Sequence, residues 1–276
     1  MRRDQVAIVI LNYKTWEDTL NEAKMVHDCF DLNWKQIIIV DNSSPNESAE
    51  QLKKKLIGDY VFIETGANKG YAFGNNIGLR YAFDNKFKYA WVLNNDIILN
   101  DKRILGEMLR VFDSDDDVAV VNPDIYAPDG HLFNRDSVRP SFFDFTIGFL
   151  AYRKKGRRLH KRRGYGYVYR PQGCCMMVDL SKLNDVGYLD EHTFLYCEEL
   201  ILAEKLLKYN WKCACAYRIS VVHNHSKTVK SNFGKWKVIK TQNESFEYYL
   251  DKYRGYSLIK RKLCLFFYSI KNYVTN

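Results

Sequence analysis

Apolar, β-branched runs that each end in a polar residue constrain this chain more than any other feature. VAIVILN (residues 6 to 12), IIIVD (37 to 41), YVFIE (60 to 64) and YAWVLNND (89 to 96) share that form. A run without polar alternation suits a strand buried on both faces, the usual condition of a parallel sheet. Between the runs lie segments of helical spacing. Thr15 opens a T-x-x-D pattern with Asp18, followed by Trp16, Leu20, Ala23 and Phe30. Ser44-Pro45-Asn46-Glu47 offers an N-cap, a proline in the first turn and a capping-box acid, and GLRYAF has helical character. Strand and helix alternate through residue 121, which predicts an α/β fold: an open, mainly parallel sheet with helices on both faces. Ligands of such sheets bind beyond the carboxyl ends of the strands. Asn12, Asp41 and Asn94-Asn95-Asp96 stand at those ends, so three strands deliver amides and carboxylates to one rim.

The pattern loosens after residue 122. NPDIYAPDG is rich in turn formers, and RKKGRRLHKRRGYGYVYR (153 to 170) reads as a mobile basic loop. CCMMVDL predicts a short strand, and Ser181 to Asp185 a turn or brief helix. FLYCEELILAEKLLKY predicts a strand end leading into a helix, and WKCACAYRISVVHNH one or two strands. The tail from Ser245, with aromatic residues among lysines and arginines, predicts one or two amphipathic helices. These readings divide the chain into a domain over 1–226 and a basic, aromatic helical extension over 227–276.

At 276 residues the chain can bury a substantial core, and 27% charged with 46% hydrophobic residues excludes a disordered protein. None of the seven cysteines forms a CxxC pair, which fits a reducing cytosol better than a disulfide framework or a zinc site. The apolar run behind MRRDQ is too short for a signal-peptide core and reads as a strand. No stretch approaches the length of a membrane span, so a membrane contact is expected to be peripheral.

GANKGYAFGNNIG (66 to 78) places Gly70, Gly74 and Gly78 four apart. The spacing is neither G-x-G-x-x-G nor a Walker A loop. Two readings stand: close packing of a helix on the sheet, or removal of bulk where a ligand approaches backbone.

The ordered succession ILNY (10 to 13), VDNSS (40 to 44), GANKGYAFGNNIG, LNNDI (93 to 97), the Glu198-Glu199 pair opening a helix, and VVHNH (221 to 225) resembles the family 2 inverting glycosyltransferases. It is most similar to their rhamnosyltransferase-like branch, over residues 5 to 226. The resemblance implies a GT-A fold, a UDP- or dTDP-linked sugar donor, and Mg or Mn as cofactor. By the same resemblance, Asp41 accepts a hydrogen bond from the donor's pyrimidine, with Asn12, Asn42 and Ser43 in the same pocket. Asn68, Gly70 and Asn75 match the loop beside the donor, and the glycines then admit the sugar nucleotide, with the helix N-terminus facing its phosphates. Asn94-Asn95-Asp96 occupies the place of the D-x-D motif, with Asn94 replacing the first acid and Asp96 left as metal ligand. His223 is the preferred second ligand, and His225 or water completes the set. Glu199, the second acid of its pair, matches the catalytic base, and Glu198 is its neighbour. Ile201 stands where many relatives carry a further acid.

Net charge +9, concentrated in RKKGRRLHKRR and the C-terminal segment, suits an anionic membrane surface or a solvated loop. The resemblance implies an acceptor saccharide on a lipid diphosphate, in cell-surface polysaccharide synthesis at the inner face of the cell membrane. Trp91, Trp211 and Trp236 are assigned to core or lid, Trp236 lying where a closing loop is expected. A nucleic-acid binder is the rival from another class, but RNP and helix-turn-helix motifs are lacking and polar strand ends would go unexplained. An inactive relative serving as a binding subunit is the other alternative, raised by Asn94.

Overall fold

The computed structural model describes residues 3–56, 58–133, 137–149, 159–160, 163–224 and 234–275. The amino-terminal half runs β1 (Val6–Asn12), α1 (Trp16–Phe30), β2 (Ile37–Asp41), α2 (Ser48–Lys55), β3 (Val61–Glu64), α3 (Tyr71–Asp84), β4 (Tyr89–Asn94), β5 (Ile97–Ile98), α4 (Ile104–Ser114) and β6 (Val118–Tyr126). Then follow β7 (Leu159–His160), β8 (Tyr165–Val168), β9 (Cys175–Asp179), α5 (Leu180–Asp185), α6 (Glu198–Leu207), β10 (Lys212–His223), α7 (Lys235–Lys252) and α8 (Leu258–Thr275).

One sheet takes these strands in the order β3-β2-β1-β4-β9-β6-β10-β8-β7, with β5 pairing β10. The β3-β2-β1-β4 block is parallel, as the uninterrupted apolar runs require. β9 enters antiparallel between β4 and β6. Period-two alternation sends Ile8, Ile10, Ile37, Ile39 and Trp91 to a core layer shared with α1 and α4. Val9, Ile38, Val40 and Val92 face the opposite layer, beneath α3, α5 and α6.

Several boundaries differ from those the sequence suggests. Ser44 does not cap α2, which starts at Ser48; its hydroxyl instead takes the Lys14 N–H at 2.8 Å and bonds Asp41. Thr15 precedes α1 but makes no side-chain cap, because its hydroxyl accepts from Asn95 Nδ2 at 2.8 Å. The turn formers of NPDIY lie within β6, where pairing with β10 overrides local preference, and Asn122 donates to Gln172 O at 2.8 Å. Residues 165 to 168 of the expected loop form β8, since β10 supplies a partner edge; residues 153–158 and 161–162 lie outside the described residues. No strand precedes α6, because Tyr196 and Cys197 hold φ at +73° and +67°. β10 is one strand with a register shift between Ala216 and Ser220. The C-terminal helices begin at Lys235, ten residues before the expected start, and form two elements.

The glycine stripe of α3 packs the helix onto the sheet. A Cβ on Gly74 would lie 2.5 Å from Leu11 Cδ1, and one on Gly78 2.6 Å from Val9 Cγ1 and 3.1 Å from Val40 Cγ2. At Gly70, where φ is +107°, a Cβ would collide with the main chain of Phe194. Protein atoms, not a ligand, therefore meet these three positions, which corrects the reading that the glycines admit the donor.

Gly78→Ala follows from this geometry as a test. Alanine favours an isolated helix by about 0.8–1.0 kcal/mol, yet here it overpacks a buried contact with a β-branched strand residue, at a cost of about 1–3 kcal/mol. The substitution is expected to lower stability in urea unfolding. A stabilised Gly78→Ala would refute the close-packing role.

Candidate active site

The carboxyl ends of β1, β2 and β4 form a polar rim. β1 and β2 are in register with Asn12 beside Asp41, and Leu11 beside Asn94 on the other flank. Asn12 is fully buried, donates from Nδ2 to Asp41 Oδ1 at 2.6 Å and accepts from Thr19 Oγ1 at 2.8 Å. Asp41 is 1% exposed; its Oδ1 also accepts from Ser44 Oγ at 2.7 Å, and its Oδ2 from the Ser44 N–H at 2.9 Å. A carboxylate has about four acceptor positions, so this arrangement leaves one on Oδ2. Ser43, at φ +55°, turns the chain over the rim. Asn42 donates to Asn68 Oδ1 and to Gly70 O, each at 3.1 Å, while Asn68 Oδ1 accepts from the Gly70 N–H at 3.0 Å. These amides hold the 66–70 loop against β2.

The triplet after β4 splits by direction. Asn94 turns toward α3, with its Oδ1 3.5 Å from the Tyr71 hydroxyl. Asn95 turns toward α1, its Nδ2 donating to Thr15 Oγ1 and Thr19 Oγ1, both at 2.8 Å. Asp96 meets the end of β10, with Oδ1 3.1 Å from His223 Nε2. His225 lies outside the described residues. Asn75, fully buried, donates to Tyr71 O at 3.0 Å and does not reach the rim. The α3 N-terminus is also closed to a phosphate at its first N–H, which donates to Phe194 O at 2.9 Å.

Tyr71 joins the two halves of the site. Its hydroxyl donates to Gly173 O at 2.8 Å, and the Gly173 N–H donates to Glu199 Oε1 at 3.1 Å. Burial pushes the Tyr71 hydroxyl well above its ordinary pKa, with Cys174, Glu199, Glu198 and Asp96 adding to the rise. Burial acts first on the Cys174 thiol too, followed by Cys175, Glu199 and Asp96. Glu199 and Asp96 thus act on the same two groups although 103 positions separate them.

The paired acids opening α6 differ. Glu199 is half-buried and held by one oxygen. Glu198 is 6% exposed, its Oε1 has no hydrogen-bond partner, and burial, then Glu199, push its pKa up to about 8. Burial therefore favours the protonated form of Glu198 near neutral pH. On the α1 side of Asp96, a cavity of about 240 Å³ is lined by Asp18, Asn21, Glu22, Asn95 and Asn224, among others. Burial, Asp96 and Glu17 raise Asp18; burial, then Asp96, raise Glu22. This crowding of acids and the oxygen and imidazole donors of Asp96 and His223 suit a hard divalent cation. Among the described residues no three acidic, His or Cys side chains form a ready metal cage. The remaining ligands of such an ion would be water and substrate oxygens, as is usual for Mg.

Tyr71, Gly173 and Asn76 escaped the sequence reading, which took Ser44 only as a helix cap. Asn76 clamps the chain before α6, donating to Leu189 O at 2.9 Å and Glu191 Oε1 at 2.7 Å and accepting from the Leu189 N–H at 3.0 Å. The Asn-Asn pair was its signal, but the partners lie more than a hundred residues away. Trp91 is core, Trp211 stacks on Tyr209 at 4.9 Å, and Trp236 is 78% exposed near the start of α7.

The mixed sheet covered by helices on both faces, with polar residues gathered at the strand ends, is an architecture of GT-A type. The chain belongs to glycosyl transferase family 2, whose model matches residues 18–187. It is 28% identical over 222 residues, 80% of this chain and 67% of the relative, to the low-salt glycan biosynthesis hexosyltransferase Agl10 of Haloferax volcanii. Its fold is similar to that of the mannosyltransferase PcManGT from Pyrobaculum calidifontis, solved with GDP-Man and Mn2+ (TM-score 0.61, 12% identity, 96% of this chain and 69% of that one). It is also similar to GalNAc-T7 solved with UDP, GalNAc and Mn2+ (TM-score 0.61, 13% identity, 90% of this chain and 48% of that one).

The pKa of Glu198 sets a pH dependence of stability. Its ordinary value of 4.5 applies to the unfolded chain and about 8 to the native one, so between these pH values the native state holds more protons. Stability then falls as pH rises through that window. Glu198→Gln removes the effect. Its melting temperature is expected to exceed that of the native chain by more at pH 8 than at pH 5, the difference corresponding to a few kcal/mol, since one pKa unit is about 1.4 kcal/mol. An equal difference at both pH values would exclude a protonated Glu198.

Proposed function

We propose that this chain is an inverting, metal-dependent glycosyltransferase moving a hexosyl unit, of the rhamnosyl type, from a UDP- or dTDP-linked donor to a saccharide hydroxyl. The acceptor is carried on a lipid diphosphate at the inner, anionic face of the membrane, in cell-surface polysaccharide synthesis. One observation carries the reading: hydrogen bonds link Glu199 through Gly173 and Tyr71 to Asn94 at one end of the sheet, beside the Asn12–Asp41 rim, and Asp96, two residues on, meets His223. Family membership and the hexosyltransferase relative support the transfer; the Mn2+ in both structural neighbours supports the cation.

Asp41 binds the pyrimidine through its remaining acceptor position, with Asn12, Asn42 and Ser43 shaping the pocket and Asn68, Gly70 and Asn75 fixing the loop beside it. Asn94 and Asn95 orient the strand end. Asp96 and His223 would hold Mg or Mn, which when bound would supply charge neutralisation for the departing nucleotide. Glu199 keeps Oε1 on the Gly173 N–H and takes the acceptor proton on Oε2. The freed oxygen attacks the anomeric carbon from the face opposite the diphosphate. A new C–O bond forms as the bond to the diphosphate oxygen breaks, and the electron pair leaves with the nucleotide. Glu198, buried and with its carboxyl pKa pushed up, stands beside Glu199 at the start of α6.

Glu199→Gln tests the base. It keeps the shape and removes the basicity, so UDP or dTDP binding is expected to persist while transfer falls at least about a hundredfold, within the usual range for a positioned base. Glu198→Gln is expected to be milder. Exchange of the two phenotypes moves the base to Glu198, and near-native turnover in both refutes this mechanism.

Asp96→Ala tests the cation. Calorimetric Mn2+ binding and activity are expected to be lost together, whereas full turnover of the native chain in a chelator would overturn metal dependence.

A further inference from the structure

The membrane contact in the reading above rests on charge alone, and helix α8 supplies a second element. Residues 258 to 275 contain Lys260, Arg261, Lys262 and Lys271 and no Asp or Glu. Ile259, Leu263, Phe266 and Ile270 are 75%, 44%, 60% and 39% exposed. Their spacing of four, three and four keeps them on one stripe of an α-helix.

The opposite face of α8 is occupied. Cys264 is fully buried in a cluster with Phe246, Tyr249 and Leu250 of α7 and Cys197 and Ile201 near the start of α6. Tyr268 packs on Phe246 with ring centroids 4.4 Å apart, Asn243 Nδ2 donates to Ser269 Oγ at 3.1 Å, and Arg261 pairs with Asp251. These contacts fix the rotation of the helix and turn the stripe outward. Lys260 and Lys262 are exposed and flank it on either side.

We infer that α8 lies in the plane of an anionic membrane, with Ile259, Leu263, Phe266 and Ile270 inserted among the acyl chains and Lys260 and Lys262 at headgroup level. Four large apolar side chains on a rigid helix flanked by cations match an interfacial helix. Charge complementarity favours this occupant over a second copy of the chain. Two such faces in contact would bring lysines against lysines, with no acid on either helix to offset them, whereas anionic headgroups attract every flanking charge. Because α8 also packs near the start of α6, insertion would set the orientation of the Glu199 end of the sheet toward the bilayer.

The test uses the full chain and vesicles of phosphatidylcholine alone or mixed with phosphatidylglycerol. The double variant Ile259→Glu, Phe266→Glu changes only exposed positions. It is expected to keep the native melting temperature and UDP affinity while its partitioning into anionic vesicles falls at least tenfold. Phe266→Trp is expected to add a blue-shifted emission component on anionic vesicles, one that charge attraction without insertion does not produce. At about 1 M salt, where the Debye length is about 3 Å, the double variant is expected to be wholly released and the native chain partly retained. Unchanged partitioning of the double variant, or an unshifted emission from Phe266→Trp, overturns the inference. So does sedimentation showing a native dimer that the double variant splits. Transfer to a water-soluble acceptor separates this result from the catalytic reading: vesicle binding without transfer leaves the inference standing alone, and transfer without vesicle binding refutes it alone.

Discussion

The approach of α3 to the sheet is the constraint on which the site depends. Gly74 and Gly78 let the helix settle directly on Leu11, Val9 and Val40, and Gly70 brings its first turn against the main chain of Phe194. That depth puts the Tyr71 hydroxyl within reach of both Gly173 and Asn94. A helix held further from the sheet by ordinary side chains would lift Tyr71 off both partners and loosen the segment that leads into α6. Packing of this kind transmits small displacements because interiors are as dense as organic crystals.

The polar rim shows a division of labour between neighbouring residues. Asn94, the last residue of β4, points toward Tyr71, and Asn95, the first residue of the turn after it, points toward Thr15 and Thr19. Glu198 and Glu199 are separated by environment instead. Burial and the adjacent acid favour the protonated form of the first, while the second retains contact with a backbone N–H. Two adjacent carboxyls thereby occupy unlike environments, one desolvated and one hydrogen-bonded to the main chain.

Much of the framework was legible in the sequence. The runs VAIVILN, IIIVD and YAWVLN became β1, β2 and β4 because a strand buried on both faces leaves no other composition open. Their polar terminal residues did reach one rim, and Asp96 and His223 did come together. The purpose of the glycine stripe was not legible, since the atoms it accommodates belong to β1, β2 and the 194 segment. Ser44 was misread for a related reason: its capping pattern is local, whereas its actual partners are Lys14 and Asp41. The β6 extension through Asn122 and Pro123 likewise rests on pairing with a strand almost a hundred residues later. Contacts of long sequence separation leave little trace in local pattern.

Glu204, on the same helix as Glu199, is 4% exposed and receives Arg139 on both oxygens, at 2.8 and 2.6 Å, together with the Tyr169 hydroxyl at 2.6 Å. Arg254, beyond α7, approaches it to 3.7 Å and donates to Tyr249 Oη at 3.0 Å. The acid on α6 is thus enclosed by groups drawn from three separate stretches of the chain. For a polypeptide leaving the ribosome, this has a temporal meaning. The sheet can assemble once β10 has emerged, but the environment of α6 is finished only after residue 254 follows. A nascent chain can therefore pair its sheet before the polar environment of Glu204 on α6 is complete.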